Sequence, residues 1–98
     1  MTEGSPLEER VIRYLEITRS ALEKVKVVPP ARSFLTTGAE DMLAMAKSYY
    51  SDALHFREQG DLPRALASVS YAHGWIDAGV RLGLLYGGED DQTFTHYR

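Results

Sequence analysis

The sequence predicts an all-α protein, an antiparallel up-and-down three-helix bundle. Three observations lead there. Apolar and small residues recur at steps of three and four along three long stretches, the spacing of one helical face. Each stretch opens on a residue that caps helix N-termini. Each closes on proline or glycine.

The first helix is expected near residues 6–27. Ser5-Pro6-Leu7-Glu8 sets serine at the N-cap, proline at the first helical position and glutamate three residues on. Leu7, Val11, Tyr14, Thr18, Ala21 and Val25 form its seam, and Leu15 and Leu22 widen it. Val27-Val28-Pro29-Pro30 ends it, since proline lacks a donor and restricts the residue before it. Residues 29–36 read as an irregular connector. Phe34 and Leu35 are expected to tuck against the bundle.

The second helix is expected near 38–59, opened by the capping box Thr37-Gly38-Ala39-Glu40. Its seam is Met42, Ala46, Tyr49, Ala53 and Phe56. Gly60 suits the left-handed position that follows a helix. Asp61 caps the third helix, with Pro63 in its first turn. "REQGDLPRAL" is therefore a tight helical hairpin that makes the second and third helices antiparallel neighbours.

The third helix is expected near 62–85, with a seam of Ala65, Val69, Ala72, Ile76, Gly79 and Gly83. From Tyr71 to Leu85 only His73, Asp77 and Arg81 are strongly polar. A helix apolar nearly all round is buried on more than one side, which points to a partner surface. Gly74, Gly79 and Gly83 each cost about 1 kcal/mol relative to alanine in a helix. Close packing offsets such a cost, so Gly74, Trp75, Gly79 and Gly83 are the candidate packing or interface residues. Residues 1–86 form the bundle, and 87–98 an acidic and aromatic tail expected to be flexible.

Composition narrows the function classes. Ninety-eight residues, 44% of them hydrophobic and 26% charged, suit one soluble globular domain. The absence of cysteine excludes disulfides, thiolate metal sites and cysteine nucleophiles. The net charge of −3 is carried by Glu89-Asp90-Asp91, and the remaining charges balance and interleave. A nucleic-acid partner is not expected, since no basic stripe is present. No apolar run is long enough for a bilayer, and the N-terminus lacks signal-peptide character. A cytoplasmic location is the expectation, with no membrane partner.

The polar residues admit two readings. The hairpin sets Tyr49 and Asp52 level with Ser70 and His73, with His55 nearer the turn. As a site, Tyr49, Asp52, His55, Tyr71, His73 and Asp77 would line a polar pocket between the second and third helices, a carboxylate poising a histidine. As plain structure, Asp52 and His55 are a solvated face, and His73, Asp77 and Arg81 a local ladder of charges. One Asp-x-x-His unit without a second is not a di-metal pattern. No phosphate loop, nucleophile elbow or zinc-protease motif occurs. No cofactor, metal or catalytic residue is expected.

The run from Tyr49 to Leu85 resembles a small archaeal family of helical proteins catalogued as domain of unknown function 357. Tyr-x-x-Asp-Ala-x-His-Phe, Gly-Asp at the turn and Tyr-Ala-x-Gly-x-x-Asp-Ala-Gly carry the resemblance. It implies a left-handed three-helix bundle and an archaeal, cytosolic setting, but no activity and no catalytic residues. It also implies an accessory role, attached in some members to archaeal nucleotidyltransferases. A fainter similarity, to nucleotide-binding helical bundles with an Arg-x(4–6)-His ribonuclease motif, lacks that motif here. The hairpin is similar to a single tetratricopeptide unit, but one hairpin is no array. The expected function is a non-enzymatic interaction or accessory module that self-associates through the glycine-bearing third helix. The alternative is a small-ligand or nucleotide-binding bundle using the pocket residues.

Overall fold

The computed structural model describes residues 5–28 and 34–87. Three helices, α1 (Pro6–Lys24), α2 (Phe34–Glu58) and α3 (Leu62–Arg81), form an all-α bundle. Two strands of two residues each, β1 (Lys26–Val27) and β2 (Leu85–Tyr86), pair antiparallel, Lys26 opposite Tyr86 and Val27 opposite Leu85.

The local signals at the helix ends act as their chemistry requires. The Ser5 hydroxyl accepts from the Glu8 N–H at 3.0 Å, with Pro6 at the first helical position. Gly60 has φ 78°, and its N–H donates to the Arg57 carbonyl while the Asp61 N–H donates to Phe56. This pair of bonds is a Schellman ending. The Asp61 carboxylate then accepts from the Arg64 N–H at 3.2 Å and starts α3 at once.

The core falls into two clusters. Val11, Leu15, Ala53, Ala65 and Val69 form one, and Ala21, Val25, Ala39, Ala46, Ile76 and Leu85 the other. The first half of α1 thus meets the end of α2 and the start of α3, and its second half meets the reverse pair. An up-and-down course requires this pairing.

Three boundaries differ from the expectation. The first helix ends at Lys24, not 27, because Val25 is already extended and Lys26–Val27 pair with Leu85–Tyr86. The second helix begins at Phe34, not 38. Ala39 is fully buried and Thr36 nearly so, so packing extends the helix past the local capping signal. Residues 29–33 of the connector lie outside the described residues.

The third helix ends at Arg81, not 85, and Gly83 is not inside it. Gly83 has φ 79°, its N–H donates to Val80, and the Leu84 N–H donates to Gly79 at 2.9 Å. This is a second Schellman ending, and it explains a glycine that the helical pattern had assigned to packing. The chain then turns back and supplies β2, which the helical period does not predict. The Val28 N–H extends the pairing by donating to the Leu84 carbonyl at 3.0 Å. The acidic and aromatic tail, from residue 88 on, lies outside the described residues.

The turn seats Leu85 on Gly79. A Cβ added at Gly79 would stand 2.5 Å from Leu85 Cδ1 and 2.8 Å from its Cγ. The close approach expected at Gly79 is therefore satisfied within the chain. Gly79→Leu should destabilise the fold by more than about 2 kcal/mol in urea denaturation, because both large side chains need one space. Gly83→Ala should cost about 1 kcal/mol by the same assay, from the left-handed backbone alone.

Candidate functional site

The outer side of α3 is the feature that the core does not use. Ala67, Ser70, Tyr71, Gly74, Trp75 and Ala78 line an open groove of about 520 Å³ there. Their spacing, steps of three and four on one helix, makes them a single stripe. The opposite side of α3 carries the buried residues Ala65, Val69, Ala72, Ile76 and Gly79. Both sides of this helix are therefore apolar or small, and only one is covered. Along the outer stripe no charged side chain intervenes between Arg64 and Asp77.

Aromatic rings border the groove. Tyr71 is 62% exposed, and its ring stacks on Tyr49 of α2 with centroids 5.3 Å apart. Trp75 is half-buried, packed in part against the cluster that holds Ile76 and Leu85. Leu82, 68% exposed, continues the apolar surface beyond the helix end. An exposed apolar surface with large aromatic rings is a recognition surface more often than a monomer's ordinary exterior.

Gly74 lies in the middle of the stripe. A Cβ placed there meets nothing within 4 Å. Unlike Gly79, this glycine answers to no neighbour in the described chain. Its cost of about 1 kcal/mol in a helix interior is left without an offset in the monomer.

Of the six polar-pocket candidates the structure stacks Tyr49 on Tyr71 across α2 and α3. Tyr71 lines the groove and Tyr49 stands behind it. Asp52 and His55 are exposed on α2, and the His55 ring lies 6.0 Å from that of Phe56. His73 is buried, 2% exposed, on the side of α3 shared with Val69 and Ile76. Asp77 accepts from Arg81 at 2.9 Å, as the ladder reading has it. The groove includes neither Asp52 nor His73, and the solvated reading describes Asp52 and His55. Among the described residues no three His, Asp or Glu side chains gather as a metal site would need. No described helix is long and apolar enough to cross a membrane.

Of the four packing candidates, Gly74 and Trp75 line the groove, Gly79 receives Leu85, and Gly83 turns the chain. Ala67 and Ala78 of the groove are not among the residues that the sequence singles out, and Ser70 stands out there only as level with Asp52. The signal for them is present, since 67, 70, 71, 74, 75 and 78 follow one helical face.

Fold and surface together define a class, a small all-α bundle with an uncovered apolar helix face. The chain belongs to the family described as protein of unknown function DUF357, whose model matches residues 13–85. The match takes in most of α1 as well as the hairpin. No curated protein and no solved structure matches the chain.

Gly74 and Gly79 should respond oppositely to alanine. In dilute solution Gly74→Ala should raise thermal stability, by up to about 1 kcal/mol of helix propensity. Gly79→Ala should lower it. Scanning calorimetry on the two variants checks the pair.

Proposed function

We propose that the protein is a non-enzymatic interaction module that pairs with a second copy of itself through the outer side of α3. The observation that carries this reading is the second apolar side of α3, small along its centre and edged by Tyr71 and Trp75. A soluble helix ordinarily spends its outer face on charged residues. Here the charged residues stand at the borders, as Arg64, Asp77 and Arg81. A chain of 98 residues also gains from association, because its own core removes a limited area from water.

A second reading has one observation in its favour. A groove of about 520 Å³ is large enough for a small ligand, and the stacked Tyr49–Tyr71 pair would flank a planar one. The nearest basic side chains stand at the ends of the groove, Arg64 and Arg81, and Arg81 is engaged by Asp77. A larger protein, such as the nucleotidyltransferases implied by the family resemblance, would use the same face.

Sedimentation equilibrium over a range of concentrations tests the proposal. The expected result is a reversible dimer. Ala67→Glu should weaken it at least tenfold, about 1.4 kcal/mol. Ala67 is exposed in the single chain, so folding of the dilute variant should change by no more than about 0.5 kcal/mol. A monomer at every concentration that gains several degrees of thermal stability from a small planar ligand would replace the proposal with the second reading.

A further inference from the structure

We propose that the two copies pair antiparallel, α3 against α3, with the two-fold axis beside Gly74. The inference rests on the self-association reading above and adds its geometry. The bulk at Arg81, the helix dipoles and the composition of the two edges lead to it.

At 100° per residue, Gly74 stands at the centre of the stripe. Tyr71 and Trp75 fall on one side of it, the side of α2, since Tyr71 stacks on Tyr49. Ser70 and Asp77 fall on the other side. Arg81, two turns beyond Gly74, lies close to the centre line and is exposed.

A parallel pair would set each residue level with its own copy. The guanidinium of Arg81 would then face the partner's Arg81 almost directly across the seam. Each guanidinium is bonded to its own Asp77, so the conflict there is one of bulk, two long arginine stems at one level, and the two helix dipoles would also run the same way. The antiparallel pair about Gly74 removes both conflicts. Arg81 comes level with the partner's Ala67, whose small side chain leaves room for the arginine stem to lie flat.

The same operation keeps each edge facing its own kind. Tyr71 and Trp75 meet the partner's aromatic edge, with Tyr71 over the partner's Ala78. On the other edge, the Ser70 hydroxyl donates to the carboxylate of the partner's Asp77. That carboxylate keeps its bond to Arg81, because its two oxygens accept more than one hydrogen bond. Gly74 meets Gly74 of the partner subunit, where a side chain would hold the helices apart. A two-fold interface demands this self-complementarity.

Area fixes the extent of the contact. The 20 residues of α3 make a helix about 30 Å long and about 10 Å wide, a footprint of roughly 300 Å². A stable interface takes about 800 Å² from each partner. The contact therefore extends onto α2, where Met45, 38% exposed, and Tyr49 lie on the aromatic side.

The chain contains no cysteine, so introduced cysteines report geometry without background. Ser70 of one copy is level with the partner's Ala78 across the seam. Two Ser70 positions stand eight residues, about 12 Å, apart along the antiparallel pair, beyond the roughly 7 Å Cα span of a disulfide. Ser70→Cys and Ala78→Cys are purified separately, mixed, allowed to exchange and oxidised. Circular dichroism and sedimentation first establish that each variant is folded and dimeric.

A covalent dimer should form in the mixture, up to roughly half the material as heterodimer, and at a small fraction of that yield in either variant alone. Efficient cross-linking of Ser70→Cys with itself would overturn the antiparallel geometry and leave self-association standing. A dimer that cross-links in neither case would place the contact elsewhere and overturn the proposal. A monomeric wild-type chain would overturn the geometry and the function reading together.

Discussion

Alanine makes most of the fully buried contacts between the helices of this protein. Ala21, Ala39, Ala46, Ala53, Ala65 and Ala72 are all fully buried, whereas the large side chains buried to the same degree are Ile76, Val11 and Val69, with Thr18 among them. A methyl group holds helix axes near the short end of the usual 8–10 Å range. Contacts made by methyl groups leave little space between helices for rings. Tyr14, Tyr50, Phe56 and Trp75 pack along the flanks of the core, and Tyr71 lies outside it. The aromatic content of the surface is thus a consequence of the thin interior. Burial acts on these flanking rings too, raising the Tyr50 hydroxyl above its ordinary pKa by desolvation.

A thin core needs its ends secured. Gly83 turns the chain in the left-handed conformation, Leu85 descends onto Gly79, and β2 reaches across to β1. Two glycines, one inside α3 and one just past its end, thus serve a single device by different means, Gly83 through its φ angle and Gly79 through its missing Cβ. Gly74 belongs to neither use. That contrast separates the covered side of α3 from the side left for a partner.

Legibility in the sequence followed the range of the interaction. The caps at Ser5, Gly60 and Asp61 are decided within four residues, and their residue types suffice to place them. The period of α1 and α3 likewise gives the buried side of each. Long-range contacts are different. Nothing near Leu85 in sequence indicates that it pairs with Val27, and the helical period runs smoothly through Gly83 to Leu85. The start of α2 moved for a similar reason, the burial of Ala39 against the end of α1. For the candidate site, two apolar sides on α3 were readable, but which polar residues are buried was not. Level positions on a hairpin share a height without sharing a direction, so Asp52 faces solvent while His73 is buried.

The ladder of β1 and β2 has a consequence for where the bundle opens. It links the ends of α1 and α3 through backbone hydrogen bonds, with Val25 bonded to Ala21, Val28 to Leu84 and Leu84 to Gly79. Helix termini ordinarily fray because their last carbonyls lack partners. At this end fraying of either helix must break bonds to the other, so the two open together or not at all. The hairpin end has its core cluster, the Gly60 turn and the Asp61 cap but no strand ladder among the described residues, and it can loosen by local steps. The molecule is thus polar in its stability as well as in its sequence. Slow amide exchange should concentrate around Ala78–Leu84, and the earliest exchange should come from the turn at Gly60.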